Sequence, residues 1–187
     1  MGEEGFSRAL PRGPHHLARA DVLASQRGRL LEAIAEVVAA KGYGAATVAD
    51  VIERAGVSRK TFYEHFRDKE ACFLAAYDAG VHVLMSTMRA GGEDARRRIR
   101  AYLETLAGEP AFARTFLIEI GAAGPRALAR RQEVHEAFAT LVGEAPDALA
   151  CVGAINEVVI RLVSRGRTAE LPALEDHLVS IYARLLE

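Results

Sequence analysis

At 187 residues and 20.2 kDa the chain can form one generous domain or two small ones sharing a helix, burying about two thirds of its unfolded surface without a disulfide or metal staple. Half of it is apolar and the net charge is only -1, yet residues 1–69 hold 11 Lys+Arg against 9 Asp+Glu and the remainder 13 against 16, a mild basic-to-acidic gradient. Two cysteines without a CxxC pair, no apolar run near the roughly 18 residues of a membrane span and no signal-like N-terminus argue against a disulfide scaffold and a membrane or secreted protein, and predict a soluble cytoplasmic one.

Residues 1–18 mix Gly2, Gly5, Pro11, Gly13 and Pro14 with charges and show no apolar period, which predicts a flexible tail; Arg8 and Arg12 leave open a basic arm of the kind that enters a minor groove. Over about 19–40, Leu23, Leu30, Leu31, Ile34, Val37 and Val38 recur at three- and four-residue steps, an apolar stripe on a long helix that Lys41-Gly42 ends. Thr47, with Asp50 three residues on, predicts a capped short helix that stops at Ala55-Gly56. Ser58 caps a third helix to about Phe66, and Asp68 a fourth that runs through Phe73, Tyr77, Val81, Leu84 and Met88. Gly91-Gly92 breaks the pattern before a helix over about 95–107; Pro110 opens one that ends near Gly121, and Gly124-Pro125 one that runs to about Leu141. The last two helices fall over about 147–165 and 171–186, parted by Arg165-Gly166-Arg167 and Pro172.

Residues 47–70 read as a helix-turn-helix. Val48, Val51, Ile52, Val57 and Phe62 pack the two short helices on the first, leaving the start of the second free to enter a major groove with Ser58, Arg59, Lys60 and Thr61, then Glu64 and His65, exposed. Arg and Lys donors match guanine O6 and N7, Thr meets a thymine methyl, and Tyr63, Lys69 and Thr47 can hold flanking phosphates. Arg59, Lys60, Arg67 and Lys69 face only Glu64 and Asp68, a local cationic excess that a phosphate backbone would feel.

Lys41-Gly42-Tyr43, Thr47-Val48 through Ala55-Gly56-Val57-Ser58, Thr61-Phe62-Tyr63-Glu64-His65-Phe66 and Lys69-Glu70 together resemble the N-terminal signature of the TetR family of transcriptional regulators, over about residues 22–80. The resemblance implies Ser58, Arg59, Lys60 and Thr61 as base-reading positions and Thr47, Tyr63, His65 and Lys69 as backbone clamps. It also implies an all-α fold: a tail over 1–18, a helix-turn-helix DNA-binding domain over 19–67 and a helical effector-binding and dimerisation domain over 68–187. Ile52 departs from the small alanine usual at the crossing of the two short helices, and residues 91–187 share only helix pattern and length with the family.

In the body, Tyr77, Met88, Tyr102 and Phe116 have the flexible or aromatic character of an effector cavity, though such residues also make ordinary core. Glu119 stands in the apolar run 116–120, where a carboxylate must be paired or neutral: it recognises a cationic or hydroxylated effector, or it pairs with Arg114 or another helix's arginine. Arg96, Arg97, Arg98 and Arg100 look like a nucleic-acid patch but read better as a solvated or acid-paired face. Val152, Ile155, Val158, Val159 and Leu162, with Leu174, Leu178, Ile181 and Leu185, form two stripes that suit a four-helix dimer interface, unless one serves the monomer core.

The function so predicted is a sequence-specific DNA-binding regulator, a repressor released from a palindromic operator by a small-molecule effector. Its partners are double-stranded DNA, a second copy and the effector, with no membrane, metal or cofactor. The alternative is a DNA-binding dimer without a small-molecule ligand, constitutive or controlled by a protein partner. An enzyme using Glu119 and His135 as acid and base is disfavoured, because no nucleophile, metal set or phosphate loop accompanies them.

Overall fold

In the computed structural model, which describes residues 19–143 and 146–186, the N-terminal apolar stripe becomes α1 (Arg19–Lys41), with Leu30, Ala33, Ile34, Val37 and Val38 buried. The tail expected over 1–18, Arg8 and Arg12 included, lies outside the described residues. Three more helices follow, α2 (Val48–Ala55), α3 (Arg59–His65) and α4 (Lys69–Ala90). Each is started by a side chain that accepts from a free first-turn amide: Thr47 from Asp50 at 3.2 Å, Ser58 from Thr61 at 3.0 Å and Asp68 from Ala71 at 2.7 Å. Gly56 ends α2 in the left-handed region at φ 62°, where a side chain would be strained, and its amide caps the Glu53 and Ile52 carbonyls.

The body comprises α5 (Ala95–Gly108), α6 (Pro110–Leu117), α7 (Pro125–Val142), α8 (Asp147–Val163) and α9 (Glu175–Leu186), with 3₁₀ segments at Glu119–Ala122 and Thr168–Leu174. Among the described residues there is no strand. Two elements differ from expectation. The helix opened by Pro110 stops at Leu117 and tightens into the first 3₁₀ segment, where Glu119 turns back toward Arg114 and the head. The final helix begins at Glu175 rather than near 171, because Pro172, which has no N–H for an α ladder, sits in the second 3₁₀ segment.

α1 packs on α2, α4 and α6, while α4 packs on α1 and on α5, α6 and α7, so the fourth helix belongs to head and body at once. No continuous apolar run was expected to reach membrane-span length, yet the 22-residue α4 has the length and composition for a crossing, with a mean hydropathy of 1.2. Many of its apolar side chains are core instead: Cys72, Phe73, Ala76, Tyr77, Val81, Leu84, Met85 and Met88 are all buried, whereas Val83 is exposed. Burial pushes the Cys72 thiol up to about 12, which leaves it a small apolar residue rather than a nucleophile.

α4 and α6 meet at Gly80. A Cβ there would lie 2.0 Å from the Phe112 ring, so the glycine is what lets the two helices approach. From that contact runs an aromatic stack, Phe112 on Phe116 at 5.4 Å, Phe116 on Tyr77 at 5.5 Å and Phe116 edge-on to Phe138 at 6.0 Å. At the far side α5 is tied to α9 by Arg96 with Glu175 and Asp176 (2.7 and 2.6 Å) and by Arg100 with Glu175 (2.8 Å).

Hydrogen bonds from Arg100 and then Arg96 hold the Glu175 carboxyl at about 2, below its ordinary 4.5. A carboxyl depressed by folding adds stability above its unfolded value and loses that contribution as pH falls through the folded one. The melting temperature of the wild type is therefore expected to drop more steeply than that of Glu175→Gln between pH 4.5 and about 2, followed by circular dichroism. Parallel acid profiles would show that the pair adds nothing.

Candidate nucleic-acid interface and effector cavity

The helix-turn-helix is seated on its apolar side. Val51 and Ala55 of α2, Phe62 of α3 and Phe66 just past its end are buried against α1, Ile52 is half-buried beside them, and Arg29 of α1 donates to the Ala55 carbonyl at 3.1 Å. The opposite edge of α3 is open: Ser58, Arg59 and Lys60 are exposed, and Thr61 is half-buried with its hydroxyl 2.9 Å from that of Ser58. The Arg59 guanidinium lies over the Tyr63 ring at 5.6 Å, and the Lys60 ammonium is 3.9 Å from Glu64. Exposed contacts of this kind are worth a few tenths to about 1 kcal/mol, so the cations are aimed but easily released to a better acceptor.

The remaining clamp positions are placed differently. Thr47 is exposed, with its hydroxyl and amide both on Asp50, whose carboxyl is held at about 2 by hydrogen bonds from Lys41 and Thr47. His65 is half-buried and its Nε2 has no hydrogen-bond partner among the described residues. Lys69 turns inward: its ammonium donates to the carbonyls of Tyr43 and Ala46 at 2.7 and 2.8 Å and sits 4.2 Å from the centre of the Tyr43 ring. Lys69 thus fixes the turn before α2 and points away from the open edge.

Glu119 reaches that same turn from the body. Its carboxylate is buried, accepts from the Tyr43 amide at 2.9 Å, and pairs with Arg114 at 3.0 Å. Of the two readings of this residue, the geometry supplies the arginine pair and adds a contact that no local pattern announces, a body carboxylate on a head amide.

The proposed effector residues are not gathered in one place. Met88 and Tyr102 line a cavity of about 40 Å³, walled also by Arg98, Ile99, Phe138, Val142, Val152, Ile155, Asn156 and Tyr182. Tyr77 and Phe116 do not line it; they stand one layer away, stacked behind Phe138. Glu119 does not line it either. Inside the wall Tyr102 donates to Asn156 at 2.7 Å, and the Asn156 amide nitrogen lies 3.2 Å from His135 Nε2. Burial, helped by Arg131, pushes the His135 pKa down, which favours the neutral ring that accepts this bond. Burial likewise raises the Tyr77 and Tyr102 hydroxyls, and the Tyr77 oxygen has no partner among the described residues. A sequence signal for Asn156 did exist, a lone amide inside the apolar run 151–160; Phe138 and Tyr182 carried none.

With this geometry in view, the family match falls on the head. Residues 30–76 match the family described as bacterial regulatory proteins, tetR family. That match makes the head similar to this family over about a quarter of the chain. A transcriptional activator of Mycolicibacterium smegmatis, FasR, is 39% identical over 82 residues, which make up 42% of this chain and 37% of that protein. An uncharacterised transcriptional regulator of Bacillus subtilis, YerO, is 30% identical over 69 residues, 37% of this chain and 24% of that protein. The matched segment thus spans well under half the length of either relative. The fold extends further than the sequence likeness: FadR of Bacillus subtilis, solved in complex with stearoyl-CoA, superposes with a TM-score of 0.71 at 18% identity over 86% of this chain and 99% of FadR. A TetR-like regulator from Rhodococcus gives 0.67 at 20% identity over 90% and 97%.

Replacing Ser58 by Ala removes the cap of α3 and is expected to cost about 1 kcal/mol in urea unfolding, with Ser58→Asp neutral. Replacing Glu119 by Ala strands the Tyr43 amide and Arg114; the expected loss is about 1 to 3 kcal/mol, most of it restored by Glu119→Gln, whose oxygen still accepts from Tyr43. Equal losses in Ala and Gln would mean the amide bond to the head contributes nothing.

Proposed function

We propose that this protein is a homodimeric transcription regulator of the TetR type that reads duplex DNA with the first turn of α3 and is controlled by a small apolar effector held in its body. The observation that carries the reading is the open Ser58, Arg59 and Lys60 edge on a helix whose other side is anchored by the fully buried Phe62. Arg59 and Lys60 serve as base readers; Thr47 and Tyr63 lie beside them as phosphate contacts, and Lys69 acts on DNA through the turn it fixes.

For the dimer, the stripes of the last two helices divide. Val152, Ile155, Val159 and Leu178 are spent in the monomer core, whereas Val158, Leu162 and Ile181 are half-exposed and Leu149 and Leu185 are exposed. Covering that residue of apolar surface with a second copy gives a twofold dimer, whose α3 helices reach successive major grooves of a palindromic site when they stand about 34 to 36 Å apart. The action proposed is repression relieved by ligand, although one relative of the matched segment is named as an activator.

Control would run through α6, which touches both α1 and α4, and through Glu119 on the turn before α2. A ligand shifts the dimer only by its differential affinity for two arrangements of these helices. That FadR is held with stearoyl-CoA supports an apolar effector here. The small size of the cavity, about 40 Å³ against the roughly 300 to 1,000 Å³ of most ligand sites, supports the second reading, a dimer without a small-molecule ligand.

The test is selection of bound fragments from random duplexes, followed by anisotropy titration. Arg59→Ala is expected to lose about 1 to 3 kcal/mol on the selected site and to blur its preference at one base position per half-site. A protein that holds selected and random duplexes alike at physiological salt has no reading helix.

A further inference from the structure

The cavity in the body has a buried floor, a wall and a half-exposed mouth, each with its own chemistry. Met88, Tyr102 and Phe138 are buried at the floor, whereas Arg98, Val142 and Tyr182 are half-exposed at the mouth. The polar groups of the wall are spent on one another, Tyr102 on Asn156 and Asn156 on His135, so what faces the cavity is almost wholly carbon. Such a wall recognises a hydrocarbon tail and rejects a polar group.

The mouth is held by two ties. Arg98 of α5 donates to the Gly92 and Leu141 carbonyls, and Tyr182 of α9 donates to the Val142 carbonyl at 3.1 Å. Val142 and Tyr182 also line an open groove of about 480 Å³ outside, so these two residues border both the space within and the groove without. Arg98 differs from its neighbours. Arg96, Arg97 and Arg100 each have a carboxylate partner, whereas Arg98, among the described residues, is met only by backbone carbonyls. Its methylenes line the cavity and its guanidinium keeps donors for which a planar, bidentate anion is the best match.

We propose that the body takes an amphipathic carboxylate, with its hydrocarbon tail inside the cavity and its head group on Arg98 at the mouth. This deepens the effector reading above and rests on it. The present space of about 40 Å³ holds a water or two, so the tail enters as the two ties on α7 open and flexible Met88 gives way. When Arg98 leaves the Leu141 carbonyl it needs an acceptor; a carboxylate supplies one of opposite charge and an alcohol only a weak neutral one.

The test uses decanoate and 1-decanol, equal in chain length, below their aggregation limits on the full chain, read by calorimetry. The wild type is expected to bind one decanoate per chain at least tenfold more tightly than decanol. Arg98→Gln should remove that preference by weakening decanoate alone, Arg98→Lys should keep most of it, and Tyr182→Phe should speed association of both probes in stopped-flow. Equal affinity for the two probes in the wild type overturns the proposal, as does a preference that survives Arg98→Gln in a variant with native circular dichroism. Binding of neither probe, or of decanoyl-coenzyme A with decanoate ignored, overturns it too. DNA binding by the ligand-free protein in the anisotropy titration is independent of all these outcomes, so loss of the carboxylate site leaves the reading helix standing.

Discussion

Beside the packing of α1 on α4 and α6, head and body are tied by charge at one peptide residue. Tyr43 gives its N–H to the Glu119 carboxylate and its C=O to the Lys69 ammonium, so both of its backbone groups are engaged by opposite full charges, one from the body and one from the start of α4. Charge-assisted bonds of this kind are shorter and stronger than those between neutral groups. The turn they hold ends at Thr47, the cap that starts α2, and α2 in turn supports α3; the orientation of the exposed edge is therefore set from outside the helix-turn-helix as well as by its own core. Lys69 stands beside the cationic edge in sequence and yet serves its geometry, which is why its role could not be taken from charge alone.

How much of this could be read in advance divides along range in the sequence. Cap positions, glycine stops and apolar steps are local, and they placed the head helices within a residue or so, from Thr47 to Asp68. The exposed edge Ser58 to Lys60 was equally legible, because an amphipathic helix seven residues long with Phe62 inward leaves few places for the remainder. Residues whose roles depend on partners more than 40 positions away were not. Glu119 meets Tyr43 across 76 residues and Tyr102 meets Asn156 across 54, and no periodicity encodes such a meeting. The cavity is the least legible part: aromatic or flexible character, which core and lining share, marks Tyr77, Met88, Tyr102 and Phe116 alike, and of these only Met88 and Tyr102 face the space.

Gly80 and the aromatic stack connect the wall of the body cavity to the two helices, α4 and α6, that pack on the head. Phe138 is both a wall of the cavity and an edge partner of Phe116, and Phe116 is stacked on Tyr77 of α4 and Phe112 of α6. Rings in contact at these separations have nowhere to go singly, since close-packed interiors shift between arrangements rather than deform smoothly. The same packing places Tyr77 and Phe116 one layer behind the cavity wall, although neither lines it.

Both ties at the cavity mouth end on the last turn of α7, at Leu141 and Val142. Carbonyls in that position have no amide ahead of them in the helix, so they are short of a partner by geometry whatever the side chains do. Because they also lie near solvent, water can succeed Arg98 and Tyr182 when these let go, and no acceptor is left dry. A latch fastened to a helix terminus can thus be undone at the cost of a hydrogen-bond exchange, about 1 kcal/mol for each bond, where the same latch fastened at mid-helix would require the helix itself to fray.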